Sequence, residues 1–379
     1  MISKIDKLHV LFGETEKVGT IMSDPNTGSC IFEYDKDWLA RGFSISPTEL
    51  PLQAGLHYAN PDKFDGDFAI FENSLPDGYG LYLINKILKA KGTSLKELTP
   101  LQRLSIIGKS GMGALIYIPV MPGFEKQVEI TSEKALDFFQ KEALKVLSEK
   151  TEGDASLLYY NSANSGGARP KAAYRTGDGR HWIVKFRHEY DPEDAGQTEY
   201  LYMDTARQCG INIPQIMLLD NRYFAIERFD IDARNTRYHT ATAAALLKTD
   251  FRQQNVDYTN LLALTGYITQ DPKQVEEMYR RMIMNIVCIN KDDHAKNFSF
   301  IYRSGKWRLA PAYDITYSPA GSHGEHATSL YFNGNPDLSL AIRAGKEIRI
   351  PEKRCLEIIE QVESNCRKYL PVINSLLQT

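Results

Sequence analysis

The sequence predicts an α+β protein: an N-terminal α/β module, then hairpins arranged around one helix, then a mainly helical C-terminal part. Three observations lead there. In the first 125 residues, strand-like runs (Lys7 to Phe12, Cys30 to Tyr34, Ala114 to Pro119) alternate with turns such as DPNTG and one helical pattern around Tyr82 to Leu88. From Asn161 the character changes, and a glycine-containing loop, SANSGGARPKAAY, leads through the turn TGDGR into the alternating run HWIVKFR. Beyond Asp232, Val275, Met278, Tyr279, Met282, Ile283, Ile286 and Val287 fall on one i, i+3, i+4, i+7 stripe, the signature of a central amphipathic helix.

The remaining elements follow from local signals. Between Glu125 and Asn161 the stretch TSEKALDFFQKEALKVLSEKTEG predicts a connecting helix whose Leu136, Phe139, Leu144 and Leu147 face a neighbour. Gln197 to Cys209 has helical spacing and is stopped by Gly210, after which IMLLD and YFAIERFD flank Asn221 and Arg222 as a second hairpin. The segments FSFIY and WRLAP surround the turn RSGK, and the chain from Pro351 is again helical. The expected division is 1–125 for the N-terminal α+β domain, 126–160 for a helical connector, 161–232 for a small lobe of hairpins and 233–379 for a helical lobe.

With 379 residues, 42% hydrophobic and 25% charged, the chain can bury a sizeable core. A formal charge of −3 and a pI near 6.3 argue against coating nucleic acid by bulk charge. The five cysteines are odd in number and scattered, which suggests neither a disulfide framework nor a CxxC metal site and points to a reducing compartment. MISKIDKLHVLFG lacks the apolar core of a signal peptide, and no run approaches the roughly 18 to 20 apolar residues a membrane helix needs. A cytoplasmic protein without membrane partners is expected.

Phosphoryl transfer needs a group to orient the attacking hydroxyl, hard oxygen ligands for magnesium and a cation on the nucleotide phosphates. In DDHAKN, directly after the periodic helix, Asp292 and Asn297 are five apart, as in the catalytic loop of protein kinases. Asp314, in LAPAYDITYS after a predicted hairpin, stands where a second metal-binding carboxylate is expected, and Lys296 lies inside the same loop. Each residue alone reads better as a turn cap, a backbone-satisfying amide or an ordinary loop carboxylate; the set in this order favours chemistry. Asp293 rivals Asp292 as base, but only Asp292 gives the five-residue interval. His294 reads as a loop organiser.

Lys185 sits in the strand HWIVKFR, either facing solvent or aimed at phosphates; Glu199, on the helix side shared by Met203 and Ala206, would need a cationic partner and favours the second reading. Gly166 and Gly167 precede this strand as a phosphate-covering loop should, and Arg169 and Lys171 add charge there. Glu227 to Phe229 are placed like a hinge whose backbone meets adenine, with a strand end and core Phe229 as the equal alternative. GKSG at Gly108 to Gly111 imitates a Walker A loop, but Arg103 stands where its first glycine belongs, so a surface turn is expected. His323 and His326 in SHGEH lack the spacing of a metal site. The expected architecture beyond the first module is therefore a bilobal protein-kinase-like fold with a mainly helical C-lobe.

SGGARPKA, WIVKF, IERFD, NKDDHAKNFS and APAYDI, together with PLQAG and NSLPDGYG in the amino-terminal half, resemble the HipA family, serine/threonine kinase toxins of type II toxin–antitoxin systems. The resemblance implies ATP and Mg2+ as cofactors, growth inhibition by phosphorylation of a protein substrate, often an aminoacyl-tRNA synthetase, and neutralisation by a small helix-turn-helix antitoxin (HipB-like) that provides most of the DNA contact. By motif it implies Asp292 as catalytic base, Asn297 and Asp314 as magnesium ligands, Lys185 as phosphate-binding lysine and Glu227 and Phe229 as hinge. It also implies autophosphorylation in the glycine loop, at Ser165 or Ser162, with expulsion of that loop. The chain departs from ordinary protein kinases in lacking GxGxxG, in Asn290-Lys291 before Asp292 and in Ile315-Thr316 after Asp314. A small-molecule or lipid kinase and a non-catalytic co-repressor are the alternatives.

Overall fold

The computed structural model describes residues 4–148, 153–162, 164–253 and 255–370. The start of the amino-terminal run, residues 149–152 of the connector, Ala163 of the glycine loop, Gln254 and residues 371–379 of the helical part lie outside the described residues. The chain forms two compact units, residues 1–193 with 225–241, and residues 194–224 with 242–379.

The first unit opens with β1 (Lys7–Phe12), β2 (Glu16–Ser23) and β3 (Cys30–Tyr34), followed by α1 (Lys36–Arg41) and β4 (Leu56–Tyr58). Next come α2 (Ala69–Glu72), α3 (Gly78–Ala90), α4 (Pro100–Ile107) and β5 (Leu115–Ile118). The five strands make one antiparallel sheet, ordered β4-β3-β2-β1-β5, with a register shift between Val10 and Leu11. Alternation places Leu8 and Val10 of β1 and Phe32 of β3 in the core, and Phe32 packs edge-on against Phe71 of α2. Thr99 and Gln102 form a capping box at the start of α4, and Pro100 occupies its first turn, where a missing N–H costs nothing.

The connector folds as α5 (Leu136–Ser148) and α6 (Ala155–Tyr160). The buried stripe of α5 is Leu136, Phe139, Ala143 and Val146, whereas Leu144 and Leu147, expected on that face, are half-buried. The stripe advances by three and four residues from Phe139, which selects the smaller Ala143 and Val146. Then β6 (Lys171–Arg175) and β7 (His181–Lys185) pair as the expected hairpin, with Lys171 opposite Lys185.

The chain enters the second unit with α7 (Ala195–Gln208) and β8 (Ile216–Leu219). Along β9 (Tyr223–Glu227) it returns to the first, where β9 pairs antiparallel with β7 through Val184↔Ala225, Ile183↔Ile226 and Trp182↔Glu227. After β10 (His239–Thr242) the second unit continues with α8 (Ala243–Leu247), β11 (Val256–Asp257), α9 (Tyr258–Thr269) and α10 (Pro272–Val287). The hairpin β12 (Ser299–Arg303) and β13 (Lys306–Leu309), the short β14 (Thr328–Ser329), α11 (Leu338–Glu347) and α12 (Glu352–Tyr369) complete it. Helix α10 is the centre: Met278, Tyr279, Met282, Ile283 and Met284 are fully buried. Arg280 on the same helix donates to the Cys209 carbonyl at 2.9 Å, and Arg281 to the Ala310 carbonyl at 2.9 Å, so α10 fixes the ends of both α7 and the β12–β13 hairpin. All five cysteines are buried free thiols. Among the described residues, no helix is long and apolar enough to cross a membrane.

Candidate active site

In the second unit, α10 delivers the chain to the DDHAKN loop. Residues 295–297 make a single 3₁₀ turn, in which the Asn297 amide donates to the His294 carbonyl at 2.8 Å. The Asn297 side chain donates from Nδ2 to the Asp292 carbonyl at 2.8 Å. The five-residue interval is therefore a closed loop, with Asp292 exposed at its start and the amide oxygen of Asn297 left as an oxygen donor.

The two aspartates separate by environment. Asp293 is 0% exposed; its Oδ2 accepts from the Tyr258 hydroxyl at 2.5 Å and pairs with His326 Nδ1 at 2.8 Å, and its Oδ1 accepts the Thr328 amide at 3.2 Å. A carboxylate so enclosed is a structural anchor, and Asp292 is the one within reach of an external hydroxyl. Burial, and the Asp293 carboxylate beside it, push the Tyr258 hydroxyl well above the usual tyrosine range, so it remains a donor. His326, discounted for metal binding, is thus the histidine that organises this loop. His294 has its ring 5.2 Å from that of Phe251.

Asp314 is tied to the same network. Asn285 of α10 donates to the Tyr258 oxygen at 3.0 Å, Asn290 donates to Asn285 at 2.9 Å, and Asn290 also reaches the Asp314 carbonyl at 3.4 Å. The Lys291 amide donates to the Ser318 carbonyl and the Ser318 amide to the Ile289 carbonyl, each at 3.0 Å, so the segment after Asp314 runs beside the one before Asp292. Asp314 itself has a φ of 55°, a left-handed conformation uncommon outside glycine and asparagine, held here by neighbours on both sides. The Tyr313 hydroxyl donates to the Lys296 carbonyl at 2.7 Å, while the Lys296 ammonium lies 4.4 Å from the centroid of the Phe251 ring. Glu199 is buried on α7. Among the described residues, no cluster of three or more His, Cys, Asp or Glu could hold a metal by itself.

The first unit holds the other predicted residues. Lys185 ends β7, half-buried. Glu227 and Phe229 are half-buried at the end of β9, and the Arg228 amide between them donates to the His181 carbonyl at 2.8 Å. Burial pushes the Glu227 carboxyl upward. Arg228 forms a buried pair with Asp230, whose Oδ2 also accepts the Gly113 amide at 2.7 Å. Desolvation is the strongest single influence and opposes the Asp230 charge, but the Arg228 guanidinium, Arg237 and the Gly113 amide together hold that carboxyl below the usual range.

Within the glycine loop, Gly167 has a φ of 97°. Arg169 makes a two-pronged contact with Asp191 at 2.9 and 3.0 Å, and the Lys171 ammonium donates to the Gly166 carbonyl. The Ser162 hydroxyl is buried and donates to the Tyr159 carbonyl at 2.9 Å; the Ser165 hydroxyl has no hydrogen-bond partner. The GKSG segment is not the expected surface turn: only Lys109 is exposed, and Ser110 is buried, accepting from the Asn164 side chain. Its small residues are what let it pack beneath the glycine loop, a role no motif announces.

Residues 163–370, more than half of the chain, match the HipA-like C-terminal domain, and residues 8–118 match the HipA N-terminal domain. The serine/threonine-protein kinase toxin HipA of Shewanella oneidensis is 24% identical over 338 residues, which is 79% of this chain and 72% of that protein. Y4dM of Sinorhizobium fredii, which carries a provisional kinase name, is 26% identical over 175 residues; that match takes in 41% of this chain and only 42% of the relative's length. Among solved structures, a chain of the Shewanella oneidensis MR-1 complex of HipA, HipB and operator DNA is 18% identical, with a TM-score of 0.65 over 98% of this chain and 99% of that one. That likeness shows the fold. With both domains matched in order along the sequence, the chain belongs to the HipA family.

Proposed function

We propose that this chain is a HipA-like toxin, an ATP- and Mg2+-dependent serine/threonine protein kinase that inhibits growth by phosphorylating a protein. The observation that supports it most is the closed Asp292–Asn297 loop, with buried Asp293 beneath it and Asp314 joined to it through Asn290. Asp292 orients the acceptor hydroxyl and takes its proton as the oxygen bonds to the γ-phosphorus and ADP leaves. Asn297, its Nδ2 already committed to Asp292, and the Asp314 carboxylate offer the hard oxygens that suit Mg2+, which would supply charge neutralisation on the phosphates. Lys185 is the phosphate cation with Glu199 as its partner, Gly166 and Gly167 cover the phosphates, Lys296 supports the nucleotide side, and the Glu227 to Phe229 backbone meets adenine. In this reading 1–125 is the HipA-type N-terminal domain, 126–160 its connector, 161–232 the kinase N-lobe and 233–379 the C-lobe.

Of the two candidate serines, Ser165 suits autophosphorylation better, because its hydroxyl has no hydrogen bond to give up whereas that of Ser162 does. A phosphate there adds about −1.5 to −2 charges and expels the loop from the nucleotide. The Shewanella complex contains HipB and operator DNA, which supports a small helix-turn-helix antitoxin as partner of this chain, with DNA contacted mainly through it. An aminoacyl-tRNA synthetase is the substrate class the resemblance favours, in the cytoplasm. Incubation of purified protein with labelled ATP and a cell lysate tests the reading: a discrete labelled protein band supports it, label confined to small molecules makes the chain a small-molecule or lipid kinase, and no transfer leaves a co-repressor.

A further inference from the structure

A carboxylate of the N-terminal domain sits against the glycine loop. Asp77 precedes α3 at its N-cap position, where an aspartate ordinarily accepts an amide of its own helix, yet its side chain makes no such bond. Instead Asp77 Oδ1 accepts the Gly167 amide, the kind of N–H that a phosphate-covering loop offers to an anion. The fit is close on both sides. A Cβ at Gly166 would lie 3.2 Å from both Asp77 carboxylate oxygens, and one at Gly78 would lie 2.6 Å from Ala168 Cα and from the Gly167 carbonyl oxygen. The Tyr79 amide donates to that same carbonyl at 3.1 Å. Asp77 is 5% exposed, so its charge is poorly screened. A side chain at Gly78 would collide with the loop backbone and one at Gly166 would press on the Asp77 carboxylate, so the absence of side chains there lets Asp77 reach the loop.

We infer that Asp77 is a built-in competitor of the nucleotide phosphates: it occupies the Gly167 amide and sets the affinity for ATP by having to be displaced. A phosphate and Asp77 are both anions that compete for one N–H donor, so a phosphate oxygen that takes the Gly167 amide must replace this charge-assisted bond. Lys171, whose ammonium holds the neighbouring Gly166 carbonyl, keeps the loop near its seat during the exchange. The clasp thus links the NSLPDGYG segment to nucleotide occupancy, so a partner that shifts α3 would change ATP affinity without touching the nucleotide.

This inference rests on the proposed kinase reading, and the test separates the two. The Kd values of a β,γ-imido ATP analogue with Mg2+ and of adenosine are measured by calorimetry for wild type, Asp77→Asn and Asp77→Ala, with thermal melting as a check on folding. The clasp predicts about tenfold tighter binding of the ATP analogue to Asp77→Asn, at least as tight to Asp77→Ala, and unchanged adenosine binding, because adenosine brings no phosphate to the contested amide. Should wild type bind the analogue while both folded variants bind it equally or more weakly, Asp77 only props the loop and the inference is overturned. Absence of analogue binding by the folded wild type itself would overturn the kinase reading, and the clasp with it.

Discussion

The Tyr258 hydroxyl donates to Asp293 Oδ2 at 2.5 Å, and through this bond α9 supports the loop that carries Asp292. The Tyr258 oxygen in turn accepts from Asn285, which accepts from Asn290, and Asn290 reaches the carbonyl of Asp314. One chain of side-chain bonds therefore connects the loop that carries Asp292 to the backbone of Asp314, entirely within the second unit. Tyr258, Asp293, Asn285 and Asn290 are all buried, so each is costly to remove.

Tyr258→Phe keeps the ring and deletes only the hydroxyl. Hydrogen bonds to charged groups contribute about 1.5 to 3 kcal/mol, and a loss of that size is expected in urea unfolding. Activity should fall as well, since Asp314 loses part of its support; an unchanged unfolding midpoint would show that the bond carries no stability.

Asp67 predicts a pH effect of definite sign. Burial pushes its carboxyl from the ordinary 3.8 up to about 8, above the value in the unfolded chain. The folded state therefore binds the proton more tightly, and the resulting stability is present at low pH and lost progressively from about pH 4 to about pH 8. Other groups also titrate in this range, so the measurement is a difference. The stability of wild type minus that of Asp67→Asn should fall across the window, because the amide keeps the uncharged shape and cannot ionise. A difference that is flat or rises with pH would contradict the placement of Asp67 as a buried acid.

Lys185→Ala tests the phosphate cation. In the proposed reading Lys185 is the partner of the buried Glu199, so the substitution should cost about 3 to 5 kcal/mol of stability, and unfolding is measured beside activity. Transfer from ATP should drop about a hundredfold or more, as for other groups that neutralise developing charge. A folded variant with undiminished activity would remove Lys185 from the machinery.

Much of this was legible in the sequence where local rules dominate. The alternation in HWIVKFR and the stripe on α10 each encode their element directly, and the Asp292 to Asn297 interval anticipated the closed loop. What was hidden depends on partners distant in sequence. Asp293 could be separated from Asp292 only by spacing, because Tyr258, which lies 35 residues before it, and His326 and Thr328, which lie 33 and 35 residues after it, are what bury it. Asn285 within an otherwise apolar stripe is the local signal of that network. GKSG looked like a turn because its role is to be small beneath Asn164, 54 residues further on. Asp77 meets Gly167 across 90 residues, a separation that no local pattern reports.

The measurement that bears most directly on the central claim is phosphoryl transfer from labelled ATP by Asp292→Asn beside Asp293→Asn, with unfolding curves for both. Asp292 is exposed and contributes its carbonyl, not its carboxylate, to the bond with Asn297, so its variant should lose transfer while stability stays within about 0.5 kcal/mol of wild type. Asp293→Asn removes a fully buried charge from three partners and should be destabilised by several kcal/mol, on the order of 3 to 5. Full activity in a folded Asp292→Asn protein would contradict the assignment of Asp292 as the base, and with it the kinase reading of this site.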